Sequence, residues 1–226
     1  MKNLQRATLL TVILLVANSI NFAQSLVAVD KHSSVADLPV TDVSIRKSNM
    51  PLALSEIAYT CNIPIGVEIS PDDDVLKERN IVVQIESGTV KDLLDSVVSQ
   101  NPLYAWNIED DVINVFPKGN REPVLKSLLE TRIEAFRIDP DRGRLTFRES
   151  LTESPSVKRV LAAFGVKSNN EVFSSRDIRP LSRGYSLNVS NATVKSILNR
   201  VVRESATKFW IVNLDGEKRQ HLLLNL

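Results

Sequence analysis

The feature that most limits what this chain can fold into is an internal repeat. Residues 81–108 lie over residues 185–212 at a constant shift of 104, without a gap. Thr89/Thr193, Val90/Val194, Lys91/Lys195, Leu94/Leu198, Val97/Val201, Val98/Val202 and Trp106/Trp210 are identical pairs. Seven identities in 28 positions compare with about two expected by chance from ordinary composition. Val83/Leu187, Ile85/Val189 and Ile108/Val212 keep their apolar character. One supersecondary unit, used twice, is therefore the organising feature.

Each copy reads the same way. Ile81, Val83 and Ile85, like Tyr185, Leu187 and Val189, fall at every second residue, the period of a strand with one buried face. Thr89 and Thr193 stand where a helix wants an N-cap hydroxyl. Val90, Leu93, Leu94, Val97 and Val98 then form one apolar helical stripe, matched by Val194, Ile197, Leu198, Val201 and Val202. A second strand carries Trp106 or Trp210, and Glu109-Asp110-Asp111 or Asp215-Gly216-Glu217 turns the chain into a third. The unit is strand, helix, hairpin.

Upstream of the first copy, Val43-Ser44-Ile45-Arg46 reads as a strand. A helix from Pro51 to about Cys61 follows, with Asn62 in the left-handed position beyond it, and then a strand over 63–69. The expected fold class is α+β: two tandem β-α-β-β-α-β modules, each with two helices on short sheets. Residues 40–117 form the first module, 118–130 a linker with a helical turn after Pro123, and 131–226 a second, diverged copy. In that copy 133–138 reads as the first strand and Val157, Val160, Leu161 and Phe164 as a helix closed by Gly165. Residues 168–184 read as a polar loop.

The N-terminus reads as an export signal. Lys2 and Arg6 precede an apolar run over 7–17, and Ala23-Gln24-Ser25 offers a small-x-small cleavage site. The run is about half the ~20 residues a membrane span needs, so no span is expected in the mature chain. No cysteine follows it to take a lipid. The expectation is cleavage near Ala23–Ser25, a flexible lead-in over 26–39, and a periplasmic or secreted protein.

Here a resemblance enters. Pro51-Leu-Ala-Leu-Ser-Glu-Ile-Ala58, Ile63-Pro-Ile-Gly-Val-Glu68 and Val82-Val-Gln-Ile-Glu-Ser-Gly-Thr-Val-Lys-Asp-Leu-Leu94 carry it, completed by Tyr104-Ala-Trp106 and Ile113-Asn-Val115. Together they resemble the short N-terminal domain shared by secretins and TonB-dependent receptors. The resemblance implies docking of periplasmic or outer-membrane proteins, by strand addition among other routes, and no catalysis. A non-catalytic tandem adaptor is the leading expectation. The alternative is a regulatory or structural envelope module, of anti-sigma or receptor-signalling type, whose two copies dock on each other and sequester a partner segment.

Charge is split along the chain. Residues 24–118 hold 7 basic and 15 acidic side chains, a net of −8, and residues 119–226 hold 19 and 12, a net of +7. Three readings fit: the halves dock on each other, Arg142, Arg144, Arg176, Arg179 and Arg183 meet an acidic partner or an anionic envelope polymer, or both faces are simply solvated.

Reaction chemistry has little to draw on. His32 and His221 are the only histidines, too few for a His-based triad or a zinc site, and both read as surface residues. Asp72-Asp73-Asp74 lacks the alternating ligands of a calcium loop and reads as a solvated turn. Cys61, the only cysteine, continues an apolar helix face and reads as a core residue. Trp106 and Trp210, equivalent in the two copies, read as packing on the helices. No catalytic residue, cofactor, metal or nucleic acid is expected.

Overall fold

Backbone N–H and C=O groups must pair wherever they are buried, so each apolar stretch becomes a helix or joins a ladder. The computed structural model describes residues 34–73, 79–139, 144–168, 185–215 and 220–226, with the backbone alone for 144–146 and 168. In chain order the elements are β1 (Pro39–Lys47), α1 (Met50–Thr60), β2 (Ile65–Glu68), β3 (Ile81–Thr89), α2 (Val90–Ser99), β4 (Tyr104–Glu109) and β5 (Val112–Pro117). After them come α3 (Pro123–Glu130), β6 (Arg132–Ile138), α4 (Arg144–Thr152), α5 (Pro155–Ala163), β7 (Lys167–Ser168), β8 (Leu187–Thr193), α6 (Val194–Glu204), β9 (Phe209–Asp215) and β10 (His221–Asn225). The protein is α+β.

The repeat is visible element by element. β3-α2-β4-β5 in the first copy answers to β8-α6-β9-β10 in the second. The threonine caps form in both: Thr89 Oγ1 accepts from Asp92 N at 3.3 Å, and Thr193 Oγ1 from Ser196 N at 3.1 Å. Such a cap contributes about 1 kcal/mol, because the first turn's amides otherwise lack partners. Asp110 and Asp111 both take positive φ, 56° and 58°, the mirror-image turn that suits a two-residue hairpin. Asn62 (φ 53°) and Gly165 (φ 65°) end their helices in the left-handed region.

Each copy also has a small antiparallel sheet, β1–β3 in the first and β6–β8 in the second. Helices α1 and α2 lie between β1–β3 and the main sheet, around a core that includes Val43, Ile45, Leu54, Ile57, Leu94 and Val115. Helices α3 and α6 belong to a second core with Leu128, Phe136, Leu198, Val201, Trp210 and Leu224. Burying each such Leu or Ile contributes roughly 1.5–3 kcal/mol, so each core is a substantial driving force.

The two cores share one sheet. Its strand order is β4-β5-β2-β9-β10-β7. β2, from the first copy, pairs in parallel with β5 on one side and with β9, from the second copy, on the other. Ile65 and Val67 face the first core, while the alternate residue Gly66 faces Trp210 of the second. The copies therefore cover opposite faces of a single sheet, and Ser34–Leu226 forms one compact unit.

The stretch expected as a linker ends in α3, whose Val124, Leu125, Leu128 and Leu129 are all buried. Lys118-Gly119 and Pro123 read as spacer chemistry, but Pro123 only opens the helix. The apolar pairs behind it pack against α5, α6 and β9. Helix α4, whose Phe147 and Leu151 are buried, was not among the elements expected from the sequence.

Candidate functional site

The helix–hairpin joint of each copy is pinned by a tryptophan. Trp106 Nε1–H donates to Asp95 Oδ1 at 2.9 Å, and Trp210 Nε1–H donates to Asn199 Oδ1 at 2.9 Å. Asp95 and Asn199 are themselves equivalent under the repeat shift. Period 3.6 puts residue 91 or 195 and residue 95 or 199 on the same outward side of the helix. There the first copy closes on itself, with Lys91 Nζ bonded to Asp95 Oδ2 at 2.5 Å. Lys91, Asp92 and Asp95 lie on open surface, and Asp95's carboxyl is held below the usual carboxylate range, first by that lysine and also by the indole.

The same positions in the second copy grip the first copy instead. Lys195 Nζ pairs with the Glu109 carboxylate, Asn199 Nδ2 donates to the Glu109 carbonyl at 3.4 Å, and Arg203 donates to the Asp110 carbonyl at 2.9 Å. Trp210 is 1% exposed and lies flat over β2: a Cβ on Gly66 would sit 2.1 Å from its Cε2. Only glycine fits under that indole. Arg121 adds a further clamp, its Nε–H donating to Glu68 Oε1 at 2.9 Å while a second nitrogen holds Oε2. Glu68 is 2% exposed, and a buried carboxylate needs such a partner.

This seam encloses a cleft of about 120 Å³ lined by Glu68, Asn107, Asn114, Arg121, Lys195 and Trp210. Ligand sites usually run to about 300–1,000 Å³, so the cleft is sized for water rather than for a substrate. The buried Asn114 Oδ1, which accepts no hydrogen bond from the described residues, is a natural partner for one.

The open end of the sheet is β4. Among the described residues no strand pairs with its outer edge, and Ile108 there is 37% exposed. In the equivalent strand β9, the Lys208 and Val212 carbonyls accept from Ile65 and Ile69 of the first copy at 2.9 and 3.0 Å. The matching groups of Tyr104, Trp106 and Ile108 therefore point outward from β4. Half-buried Trp106 stands beside them.

Arg142, Arg176, Arg179 and Arg183 lie outside the described residues, and Arg144 is the first residue of α4, with its side chain outside them too. His32 and Asp74 also lie outside; His221 opens β10, half-buried.

Asp73 is not in a solvated turn: it is 6% exposed. It accepts from Tyr104 Oη at 2.8 Å and Asn101 Nδ2 at 3.1 Å, and pairs with Arg79 at 3.0 Å. Tyr104 in turn accepts from Ser70 N–H at 3.0 Å, and burial above all keeps its phenol protonated. The cluster anchors the loop after β2 to the start of β4. Sequence could not show it, since the partners are far apart along the chain.

Cys61, at the C-cap of α1, is half-buried against the first core, and burial raises its thiol pKa. Among the described residues no group of His, Cys, Asp and Glu is arranged to hold a metal, and no helix is long and apolar enough to cross a membrane. No protein-family model matches the chain, and no curated protein matches it.

Proposed function

We propose that this chain is a non-catalytic adaptor of the bacterial envelope, exported by its leader, that takes an extended segment of a partner protein onto the outer edge of β4. The observation that carries the reading is the state of that edge. β4 is a six-residue strand with outward-facing ladder groups and an exposed Ile108, and it lacks the proline, lysine or bulge that normally blunts an edge. Its equivalent, β9, is fully paired. The likeness to the short N-terminal domain of secretins and TonB-dependent receptors supports the same reading, since main-chain addition to an edge is a general mode of peptide capture. The regulatory alternative draws on the seam, where Lys195, Asn199 and Arg203 already dock one copy on the other.

The edge is tested with Ile108→Pro, which removes an outward N–H, and Ile108→Lys, which leaves the backbone intact but places a charge at the edge. Both are checked for an unchanged far-ultraviolet spectrum. The mature chain is then used as bait in periplasmic extract of its own bacterium. A protein retained by the parent and lost with both variants is the expected result. Equal retention by all three chains would exclude the edge as the binding site.

A further inference from the structure

We infer that the open edge of β4 selects a strand that runs parallel to it and carries glycine opposite Trp106. The inference rests on the adaptor reading and specifies what the partner segment must look like. Its basis is that the protein already contains one occupied copy of this edge.

The main sheet divides into two equivalent trios, β4-β5-β2 and β9-β10-β7. Within each, the first strand is antiparallel to the second and the second parallel to the third. The trios are joined by the parallel pair β2–β9, so β4 and β9 run in opposite directions, and their cores lie on opposite faces. A half-turn about an axis along the sheet, combined with a shift of three strands, relates them. That operation does not close on itself. It leaves at β4 the same kind of edge that β9 offers to β2.

What β9 demands of its partner is explicit. Ile65, Gly66, Val67 and Glu68 align in parallel with Phe209, Trp210, Ile211 and Val212. Glycine is required because an added Cβ would come within 2.1, 2.3 and 2.4 Å of three indole atoms. The indole cannot easily swing away, since its N–H is fixed to Asn199 on α6 at 2.9 Å. Trp106 is fixed by an equal bond to the equivalent residue of α2. Its indole therefore stands over the space an added strand must enter. A partner residue with a Cβ at that register meets the ring; a glycine slides under it. The partner is thus an extended segment of apolar–Gly–apolar pattern, like residues 65–67.

The test uses a synthetic peptide with the sequence of residues 63–69, and its Gly66→Val form, each with two C-terminal lysines for solubility. Each is titrated into the ¹⁵N-labelled chain to millimolar concentration while amides 104–109 and the Trp106 indole N–H are followed by nuclear magnetic resonance. The expected result is a response at β4 to the glycine peptide, with the valine peptide about tenfold or more weaker. In a Trp106→Ala chain, checked for the parent's fold, the two peptides should bind alike. Equal binding of both peptides to the parent chain would overturn the glycine rule and leave the edge reading standing. Silence at β4 with both would overturn the rule and the edge together. Shifts confined to β9 would mean that the peptide enters the seam. Shifts at β4 that grow with protein concentration alone would make a second copy the occupant. Either of these overturns the proposal.

Discussion

The outer side of α2 and that of α6 start from the same residues and end in different states. Lys91 and Lys195 are identical, Trp106 and Trp210 are identical, and the residue between them changes from Asp95 to Asn199. On α2 that residue lies partly exposed beside water and its own lysine, where a carboxylate costs little. On α6 it is fully buried between an indole donor and a carbonyl acceptor, where a carboxylate would be desolvated and would face the Glu109 carbonyl with no proton to give. An amide satisfies both neighbours, donating with one end and accepting with the other. The same backbone thus serves an open surface or a closed seam, and one atom's chemistry separates the two.

The sharpest way to break the comparison is to remove the ring from each side. Trp210→Ala should cost about 3–5 kcal/mol, since it empties a site that is fully packed, while Trp106→Ala should cost about 1 kcal/mol. Urea unfolding of both variants reads the difference, and similar costs would mean that the two rings are equally buried in solution. Gly66→Ala comes next. It should cost about 1–3 kcal/mol in the parent chain and much less in a Trp210→Ala background, because the added methyl then has room. A double-mutant cycle with no coupling would remove the ring–glycine contact as the seam's fitting rule.

The exchange of the middle residue is smaller and asymmetric. Asn199→Asp should destabilise by about 1–3 kcal/mol, whereas Asp95→Asn should stay within about 0.5 kcal/mol. Thermal melts at pH 7 distinguish them, and equal effects would place both residues in like surroundings.

The smallest effect concerns Tyr185, at the start of the second copy. Its phenol is pushed up to about 12 by burial, aided by Glu204, and its hydroxyl has no hydrogen-bond partner among the described residues. An unfolded tyrosine ionises near 10. The folded value lies above the unfolded one, so the contribution is fully present below about pH 10 and is lost as pH rises through about 12. Tyr185→Phe should be close to neutral at pH 7 and should decline less over that alkaline window. An identical alkaline profile for the two chains would show that the phenol is no harder to ionise than a free one.

Local pattern made the repeated unit legible. Alternation at Ile81–Ile85, the stripe from Val90 to Val98, and the threonine caps each depend on neighbours within a turn or two. The seam was not legible, because Gly66 and Trp210 carry no local sign of each other and meet only through tertiary pairing. Half the candidate site was nonetheless present in the alignment: the shift that pairs the two tryptophans also pairs Asp95 with Asn199. Asp73 was misread for the opposite reason. Three successive aspartates suggest a wet turn, and only the fold brings Asn101 and Tyr104 to the middle one.

The parallel pair β2–β9 also has a consequence in time. Ile65 leaves the ribosome long before Phe209, and no other described strand takes the side of β2 that β9 occupies. A nascent chain therefore carries a bare, glycine-notched strand until residues 209–212 have been made. Closing so long a loop slows the final step, and an unpaired edge is an aggregation hazard while it waits. The seam that joins the two copies can form only once β9 has been made.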